Sequence, residues 1–146
     1  MIPLFDSGGI LPPGIHLASL EEFEGRFVYT IWRRQLFNCL LKLIEDLKNI
    51  GCRTLYIDGS FITNKRLPSD MDICWEDLGI DYAYVERVMP ILFDLDYPRV
   101  NQHDLYKADI FPAHFLETGS GLYFINFFQK DKITGAVKGI IKIKIK

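Results

Sequence analysis

The sequence lacks the features that mark secreted, membrane-spanning or disulfide-linked proteins. Its three cysteines, Cys39, Cys52 and Cys74, are odd in number and form no C-x-x-C pair, which argues against a disulfide framework. It has no run of about 18 apolar residues, so no membrane span is predicted. The opening residues, MIPLFDSGG, do not place an apolar region after a basic one, so no secretory signal is predicted. We therefore expect a cytoplasmic protein with reduced thiols.

A strong charge of one sign is also lacking, because the net charge is only −2. This gives no global argument for nucleic-acid binding. The charge is uneven, since residues 130–146 contain six lysines and one aspartate. Within this tail, Gly139–Lys146 alternates isoleucine with lysine, which predicts an edge strand whose lysines discourage aggregation. A patch that binds RNA or an acidic partner is the alternative interpretation of the tail.

The length of 146 residues fits a single domain over 19–146, preceded by a Gly- and Pro-rich stretch, 1–18, that we expect to be an extended arm. Ser19 and Glu22 form a capping box before a short helix that ends near Phe27. Leucines at helical spacing predict the clearest helix, Ile31–Ile50, with Arg33 and Arg34 on its solvated face.

Further along, Asp81 can cap a helix that Pro90 should end near Met89. The stretch Asp104–Phe111 alternates in the manner of a strand. Leu122–Phe128 is so aromatic that helix and buried strand cannot be separated. The three histidines, His16, His103 and His114, show no metal-ligand spacing and are predicted to be surface or packing residues.

The most informative stretch reads DGSFITNKRLPSDMDI, from Asp58 to Ile73. A predicted strand ends at Ile57, and Gly59-Ser60 then forms a turn that a bulky anion could approach. After nine intervening residues, Asp70 and Asp72 begin a second predicted strand and project from the same face. Because two adjacent carboxylates repel each other, they favour a hard divalent cation between them. The pattern therefore joins a phosphate-sized turn to a metal-sized carboxylate pair.

Gly-Ser followed at this spacing by Asp-x-Asp resembles the nucleotidyltransferase superfamily of the polymerase-β type, in particular its small single-domain members. Asp58 departs from the superfamily pattern, in which an apolar residue is usual before the glycine. The resemblance implies an α+β fold of the polymerase-β palm type, with a mixed sheet and helices packed on one face. We expect Ile57, Asp72 and Asp109 to lie on adjacent strands.

The resemblance also implies roles for individual residues. Gly59 and Ser60 would contact the nucleotide phosphates, while Asp70 and Asp72 would bind two Mg²⁺ or Mn²⁺ ions. Asp109, flanked by apolar residues on the next predicted strand, is our candidate for the third catalytic carboxylate. Asp104 is a weaker candidate, because it lies at the start of that strand, and a salt bridge is the structural alternative for Asp109.

Lys65 and Arg66 are candidate phosphate contacts, with loop solvation as their alternative role. The implied activity is transfer of a nucleoside monophosphate, with ATP as the expected donor, to a protein or RNA hydroxyl. Small members of this class often act as antitoxins of ribonuclease-like toxins, so a toxin is an expected partner. Two other classes stay open: a binding module that kept the fold without catalysis, and a metal-dependent nuclease.

Overall fold

The computed structural model of the protein describes residues 1–69 and 71–146. Its strands are, in chain order, β1 (Gly14–Ala18), β2 (Thr54–Asp58), β3 (Met71–Trp75), β4 (Ala108–Pro112) and β5 (Gly139–Lys144). Its α-helices are α1 (Leu20–Phe27), α2 (Ile31–Asn49), α3 (Tyr82–Val88), α4 (Val100–Tyr106) and α5 (Phe124–Phe127). Short 3-10 helices span Ser60–Ile62 and Pro90–Phe93.

The strands form a mixed sheet in the order β1-β5-β2-β3-β4. Strand β2 runs antiparallel to both β3 and β5, whereas β3 is parallel to β4 and β1 is parallel to β5. A parallel pair requires a crossover connection, and the segment containing α3 and α4 supplies it between β3 and β4. The predicted α+β class with a mixed sheet is confirmed, and Ile57, Asp72 and Asp109 lie on adjacent strands as expected.

Strand β5 lies inside the sheet, so the prediction of an edge strand is wrong. It pairs with β2 on one side and with β1 on the other. Strand β1 comes from the stretch predicted to be an arm over the domain, and Gly14 lies opposite Gly139. The alternation of isoleucine and lysine shows which face of β5 is buried, but it carries no information on how many strands lie beside it.

The long helix α2 ends one residue before its predicted bound, Ile50. Its apolar stripe belongs to the core on one face of the sheet. Leu36, Leu40, Leu43 and Leu47 are all fully buried. Ser19 caps α1 as predicted, because its hydroxyl accepts a hydrogen bond from the Glu22 amide at 3.0 Å. The other half of the expected capping box is absent among the bonds of the described residues: the Glu22 carboxylate accepts from the Ile2 amide instead.

The prediction of a strand that begins at Asp104 is wrong, because the residues before β4 are helical. Residues up to Tyr106 form α4, Lys107 adopts a left-handed conformation with φ of 51°, and the strand begins at Ala108. The buried Gln102 side chain explains the arrangement, because it donates to the Ile110 carbonyl and accepts from the Ile110 amide. These two bonds tie α4 to β4, a tertiary contact that period-two patterning could not reveal.

The two faces of the sheet carry different coverings. Ile57, Ile73 and Ile110 belong to the larger apolar core, which also contains the buried residues of α1 and α2. On the opposite face, Phe111 belongs to a second cluster with Phe124, Phe128 and other residues. Phe124 lies in α5, so the aromatic stretch that was ambiguous in sequence contains a short helix. Helical residues therefore cover both faces of the sheet, and the prediction of helices on one face only is wrong.

The remaining predictions concern the helix α3, the thiols and the membrane. Asp81 caps α3 by accepting from the Tyr84 amide, and the helix ends at Val88, before Pro90, as expected. The three cysteines are free thiols. In the part of the chain that is described, we find no helix with the length and apolar character needed to cross a membrane.

Candidate functional site

Three aspartates form a row across neighbouring strands at one end of the sheet. Asp58 on β2 is the register partner of Asp72 on β3, and Asp72 is the register partner of Asp109 on β4. Directly opposed residues project from the same face, so the three carboxylates lie side by side. We call Asp58, Asp72 and Asp109 the aspartate row. Asp70, the other predicted ligand, lies outside the described residues.

The turn after β2 brings Gly59 directly against the aspartate row. Gly59 has φ of +90°, a conformation that side chains rarely adopt. A Cβ at this position would lie 3.1 Å from Asp72 Oδ2 and 3.2 Å from the Asp72 backbone nitrogen. Any other residue would therefore strain the turn and displace Asp72. Ser60 follows as the first residue of a 3-10 helix, so the turn predicted to bind phosphate lies beside the aspartate row.

A cavity of about 330 Å³ opens in front of this turn. We call it the turn cavity; it is lined by Gly59, Ser60, Asp58, Asp72, Lys132, Lys138 and others. Its volume lies at the lower end of the range of small-molecule sites. Two lysines and three carboxylates, Asp131 being the third, line one concave surface, and such a set is suited to a phosphate group with its counter-cation.

A second cavity, of about 480 Å³, lies on the other side of Asp72. We call it the acid cavity; its lining includes Asp72, Asp109, Arg99, Lys132, Phe111 and Phe124. Asp72 and Lys132 line both cavities, so the two adjoin along the aspartate row. Together they form a cleft with polar groups at its centre and aromatic side chains on one wall, as is usual for ligand sites.

Asp109 is held by an arginine and a histidine side chain at the edge of the acid cavity. Arg99 Nε lies 2.7 Å from Asp109 Oδ1, and His103 Nε2 lies 2.7 Å from the same oxygen. Burial raises the pKa of Asp109, but the hydrogen bonds from Arg99 and His103 outweigh that effect and lower it overall. Asp109 is therefore a carboxylate at neutral pH. Both contacts fall on Oδ1, and Oδ2 is the oxygen that could coordinate a cation.

Asp58 is almost fully buried at the other end of the aspartate row. Its Oδ2 lies 3.1 Å from Lys138 Nζ, whereas Oδ1 has no hydrogen-bond partner among the described residues. Burial raises the pKa of Asp58, and the charge of Lys138 opposes that rise only in part. Asp58, which the sequence pattern presented as a departure, is thus a functional candidate that the sequence reasoning missed.

The basic side chains of the cleft are not those that the sequence pointed to. Lys65 and Arg66 are exposed and are absent from the described lining of both cavities, whereas Lys132 and Lys138 line the turn cavity. Asp104, the weaker acidic candidate, lies in α4 rather than on β4 beside Asp109. The lysine count of the C-terminal tail was the available signal, but the interpretation as strand protection concerned only Lys142, Lys144 and Lys146.

Arg33 contradicts its predicted place on a solvated face, because it is fully buried. Its guanidinium donates to the carbonyl oxygens of Phe61 at 2.6 Å and Thr63 at 3.0 Å, and also to that of Lys65. The segment after the Gly59–Ser60 turn is therefore fastened to α2. Its neighbour Arg34 pairs with Glu24 at the surface, as a solvated arginine does.

A second polar group lies beyond the opposite end of β3, and we call Glu76, Asp77 and His114 the distal cluster. His114 Nδ1 lies 3.1 Å from Glu76 Oε1 and 3.2 Å from Asp77 Oδ1. One ligand atom from each residue lies within 4.8 Å of the others, so the described residues include a group that could hold a metal ion. The sequence reasoning missed His114 as a candidate ligand, because its partners lie 37 or more residues earlier.

Comparison with known proteins shows the family of this chain. It belongs to the family described as "Family of unknown function (DUF6932)", which matches residues 3–144. No curated protein and no solved structure matches the chain. The description of this family names no activity.

Proposed function

We propose that this protein is a Mg²⁺- or Mn²⁺-dependent nucleotidyltransferase with a fold of the polymerase-β palm type. One observation carries the proposal: Asp72 and Asp109 are register partners on parallel strands, and Asp72 also touches the Gly59 turn. A phosphate-sized turn and two carboxylates thus meet in one cleft. This arrangement suits a reaction that must hold a triphosphate beside bound cations.

The reaction that fits this cleft is attack by an acceptor hydroxyl on the α-phosphorus of a nucleoside triphosphate, with ATP as the proposed donor. The bond from the α-phosphorus to the bridging oxygen breaks, pyrophosphate leaves, and the hydroxyl proton passes to solvent. When bound, Mg²⁺ or Mn²⁺ would acidify the hydroxyl and neutralise the leaving group.

The chain's own residues divide this work between the two cavities. The Gly59–Ser60 turn offers backbone N–H groups and a hydroxyl to the phosphates, and Lys132, which lines both cavities, can neutralise their charge. Asp72 and Asp109 supply oxygen ligands of the kind that hard cations prefer. Asp70 completes the proposed ligand set from the sequence pattern. The aromatic wall of the acid cavity, with Phe111 and Phe124, can stack on a base.

The acceptor is a protein or RNA hydroxyl, and we propose a cytoplasmic antitoxin role in which a partner toxin is modified. The support for this role is the resemblance of the Gly-Ser and Asp-x-Asp pattern to small nucleotidyltransferases. The size of the cleft is compatible with it, since the turn cavity and the acid cavity are each large enough for part of a nucleotide.

One observation favours a second candidate, a binding module that keeps the fold without catalysis. Asp109 already has two side-chain partners, Arg99 and His103, which lie at hydrogen-bond distance from the same oxygen. A carboxylate so engaged binds a cation less readily unless the pair opens or only Oδ2 is used. In the binding-module alternative, this ion pair is permanent and the protein acts by covering its partner.

The two candidates are separated by incubating the purified protein with α-³²P-ATP, magnesium and either candidate RNA or co-purified protein. Transfer of label that depends on magnesium is the expected result. Asp72→Asn keeps the side-chain shape but removes a charge from the cleft. It should lower the transfer rate by about 10²–10³-fold, the order of effect of losing one electrostatic stabiliser in an active site.

Lys65→Ala is the matched control, because Lys65 is exposed and outside both cavities. It should transfer label as fast as the wild type. Nucleotide and magnesium should also raise the melting temperature of the wild type by mass action, and Asp72→Asn should lose that shift. Two results together would support the binding module instead. Neither the wild type nor Asp72→Asn would transfer label, and both would bind magnesium and nucleotide equally well.

A further inference from the structure

We propose that the distal cluster, Glu76, Asp77 and His114, is a binding site for a divalent transition-metal ion, with zinc favoured over magnesium. The cluster lies beyond the ends of the two strands that carry Asp72 and Asp109: Glu76 and Asp77 follow β3, and His114 follows β4. It does not share a residue with the described lining of the turn cavity or the acid cavity. The inference therefore stands independently of the proposed transferase activity.

The spacing of the ligand atoms fits a small metal ion. Zinc lies about 2.0–2.2 Å from nitrogen and carboxylate ligands, so two ligand atoms on a tetrahedral ion are about 3.3 Å apart. His114 Nδ1 lies 3.1 Å from the Glu76 oxygen and 3.2 Å from the Asp77 oxygen. An ion can thus replace the hydrogen on Nδ1 with only small movements of the side chains.

Groups around the cluster hold the two carboxylates in place. Tyr56 donates its hydroxyl hydrogen to Glu76 Oε2 at 3.0 Å, and Tyr82 donates to Asp77 Oδ2 at 2.6 Å. The His114 amide donates to Asp77 Oδ1 at 2.9 Å. Hydrogen bonds of this kind orient the ligands of metal sites and tune their basicity. The oxygens nearest to His114 are consequently fixed before an ion arrives.

Burial adds a second argument for a cation at this place. Asp77 is fully buried, and buried carboxylates are usually paired with a cation or coordinated to a metal as well as hydrogen-bonded. The His114 and Glu76 side chains keep 24% and 25% of their surface exposed, so an ion can enter from that side and retain water ligands. The site would then have three protein ligands and an open position, which is the ligand count of many zinc centres.

The ligand types select the ion. Imidazole suits zinc and its transition-metal neighbours, whereas magnesium prefers oxygen ligands alone. Among manganese, cobalt and zinc, affinity for such a mixed site rises towards zinc. We therefore expect zinc to bind most tightly, cobalt more weakly and magnesium not measurably. Because its ligands follow two neighbouring strands, the ion would fasten β3 to β4 and stabilise the sheet.

The test uses tag-free full-length protein stripped with a chelator, and it measures zinc binding by calorimetry and cobalt binding by visible absorption. We expect one zinc per chain, a cobalt spectrum that zinc abolishes, and a melting temperature that rises with zinc concentration. His114→Ala should weaken zinc binding by more than about 100-fold, beyond the effect of losing a supporting group. Glu76→Gln, at a position where about a quarter of the side chain is exposed, provides a second variant should His114→Ala fail to fold.

Two controls separate this site from the cleft. His103→Ala removes the other histidine that contacts a carboxylate, and Asp72→Asn alters the aspartate row; both should bind zinc with the wild-type affinity. A folded wild type that binds no zinc or cobalt would overturn the proposal. Zinc binding that survives both His114→Ala and Glu76→Gln would overturn it as well. In either case, the distal cluster would be a hydrogen-bonded charge network.

Discussion

The aspartate row and the distal cluster lie near opposite ends of the same strands, yet they balance their carboxylates in different ways. Basic side chains from other parts of the chain contact the aspartate row: Arg99 and His103 at Asp109, and Lys138 at Asp58. The distal cluster is balanced locally, by His114 and by the hydroxyls of two tyrosines. The row borders two cavities, whereas Asp77 in the cluster is fully buried.

This difference separates two uses of negative charge in one fold. Asp72, which faces both cavities and lies between two other carboxylates, experiences like-charge repulsion that a ligand can relieve. Asp77, a buried carboxylate that accepts several hydrogen bonds, is expected to stabilise the fold, because its loss leaves donors without partners. Replacement by asparagine should therefore have opposite effects on stability at Asp72 and at Asp77.

The largest expected effect on stability comes from Asp77→Asn. The side chain is fully buried and accepts from Tyr82, from the His114 amide and from the His114 ring. Neutralising it should lower the free energy of unfolding by about 3 kcal/mol, as for other broken buried charge pairs. Urea denaturation in the presence of a chelator measures this change without a contribution from bound metal.

Asp72→Asn is the matched substitution in the aspartate row. We expect its unfolding free energy to stay within about 0.5 kcal/mol of the wild type, or to rise, since Asp72 lies between two other aspartates. Equal losses of stability in the two variants would show that the row is a structural network like the distal cluster.

A smaller effect should appear in acid, at Asp109. Its pKa is lower in the folded protein than in the unfolded chain, so its ionised form stabilises the fold. That contribution is complete above the unfolded pKa of about 3.9 and is lost as the pH falls through the folded value. The stability difference between wild type and Asp109→Asn, about 1–3 kcal/mol, should be constant from about pH 7 to 5 and shrink below about pH 4. Urea titrations across this range would detect it, and a difference that shrinks already near neutrality would contradict it.

The smallest effect belongs to the distal cluster and appears in alkali. The hydrogen bond to Asp77 raises the pKa of Tyr82 to about 12. Its protonated form stabilises the fold, fully so below the unfolded pKa of about 10, and this contribution disappears as the pH rises through the folded value. Tyr82→Phe should cost only about 0.5 kcal/mol at pH 8, because the Tyr82 side chain is exposed to solvent, and less above about pH 10. Tyr84→Phe, also at an exposed position on the same helix, is the matched control for the loss of a tyrosine hydroxyl.

The sequence predicted those parts of the fold that depend on local pattern. The stripe of α2, the cap at Ser19 and the Gly59–Ser60 turn all follow from neighbouring residues. The adjacency of the strands that carry Asp72 and Asp109 was also predictable, with the resemblance to a known superfamily as guide. That resemblance continues to support the transferase proposal.

The misassigned residues share a dependence on distant partners. Arg33 and Arg34 are neighbours in sequence, but only Arg33 meets the carbonyls of the 61–65 segment and becomes buried. His114 acquires its role from carboxylates that lie far earlier in the chain. Lys138 faces Asp58 because the segment before β5 closes over the turn. None of these contacts has a periodic signature, so pattern reasoning could not find them.

The position of β5 has a consequence for how the protein is made. Of the strands described, this one is synthesised last, yet it lies between β1 and β2. The sheet can therefore close only after residues 139–144 have left the ribosome, and joining β1 to β5 brings together residues more than a hundred positions apart. Contacts so distant in sequence carry a large loop-closure cost and slow folding. Until β5 is in place, β1 and β2 each have an unpaired edge that could pair with a strand of another chain. Rapid insertion of β5, or a chaperone that covers these edges, would prevent such aggregation.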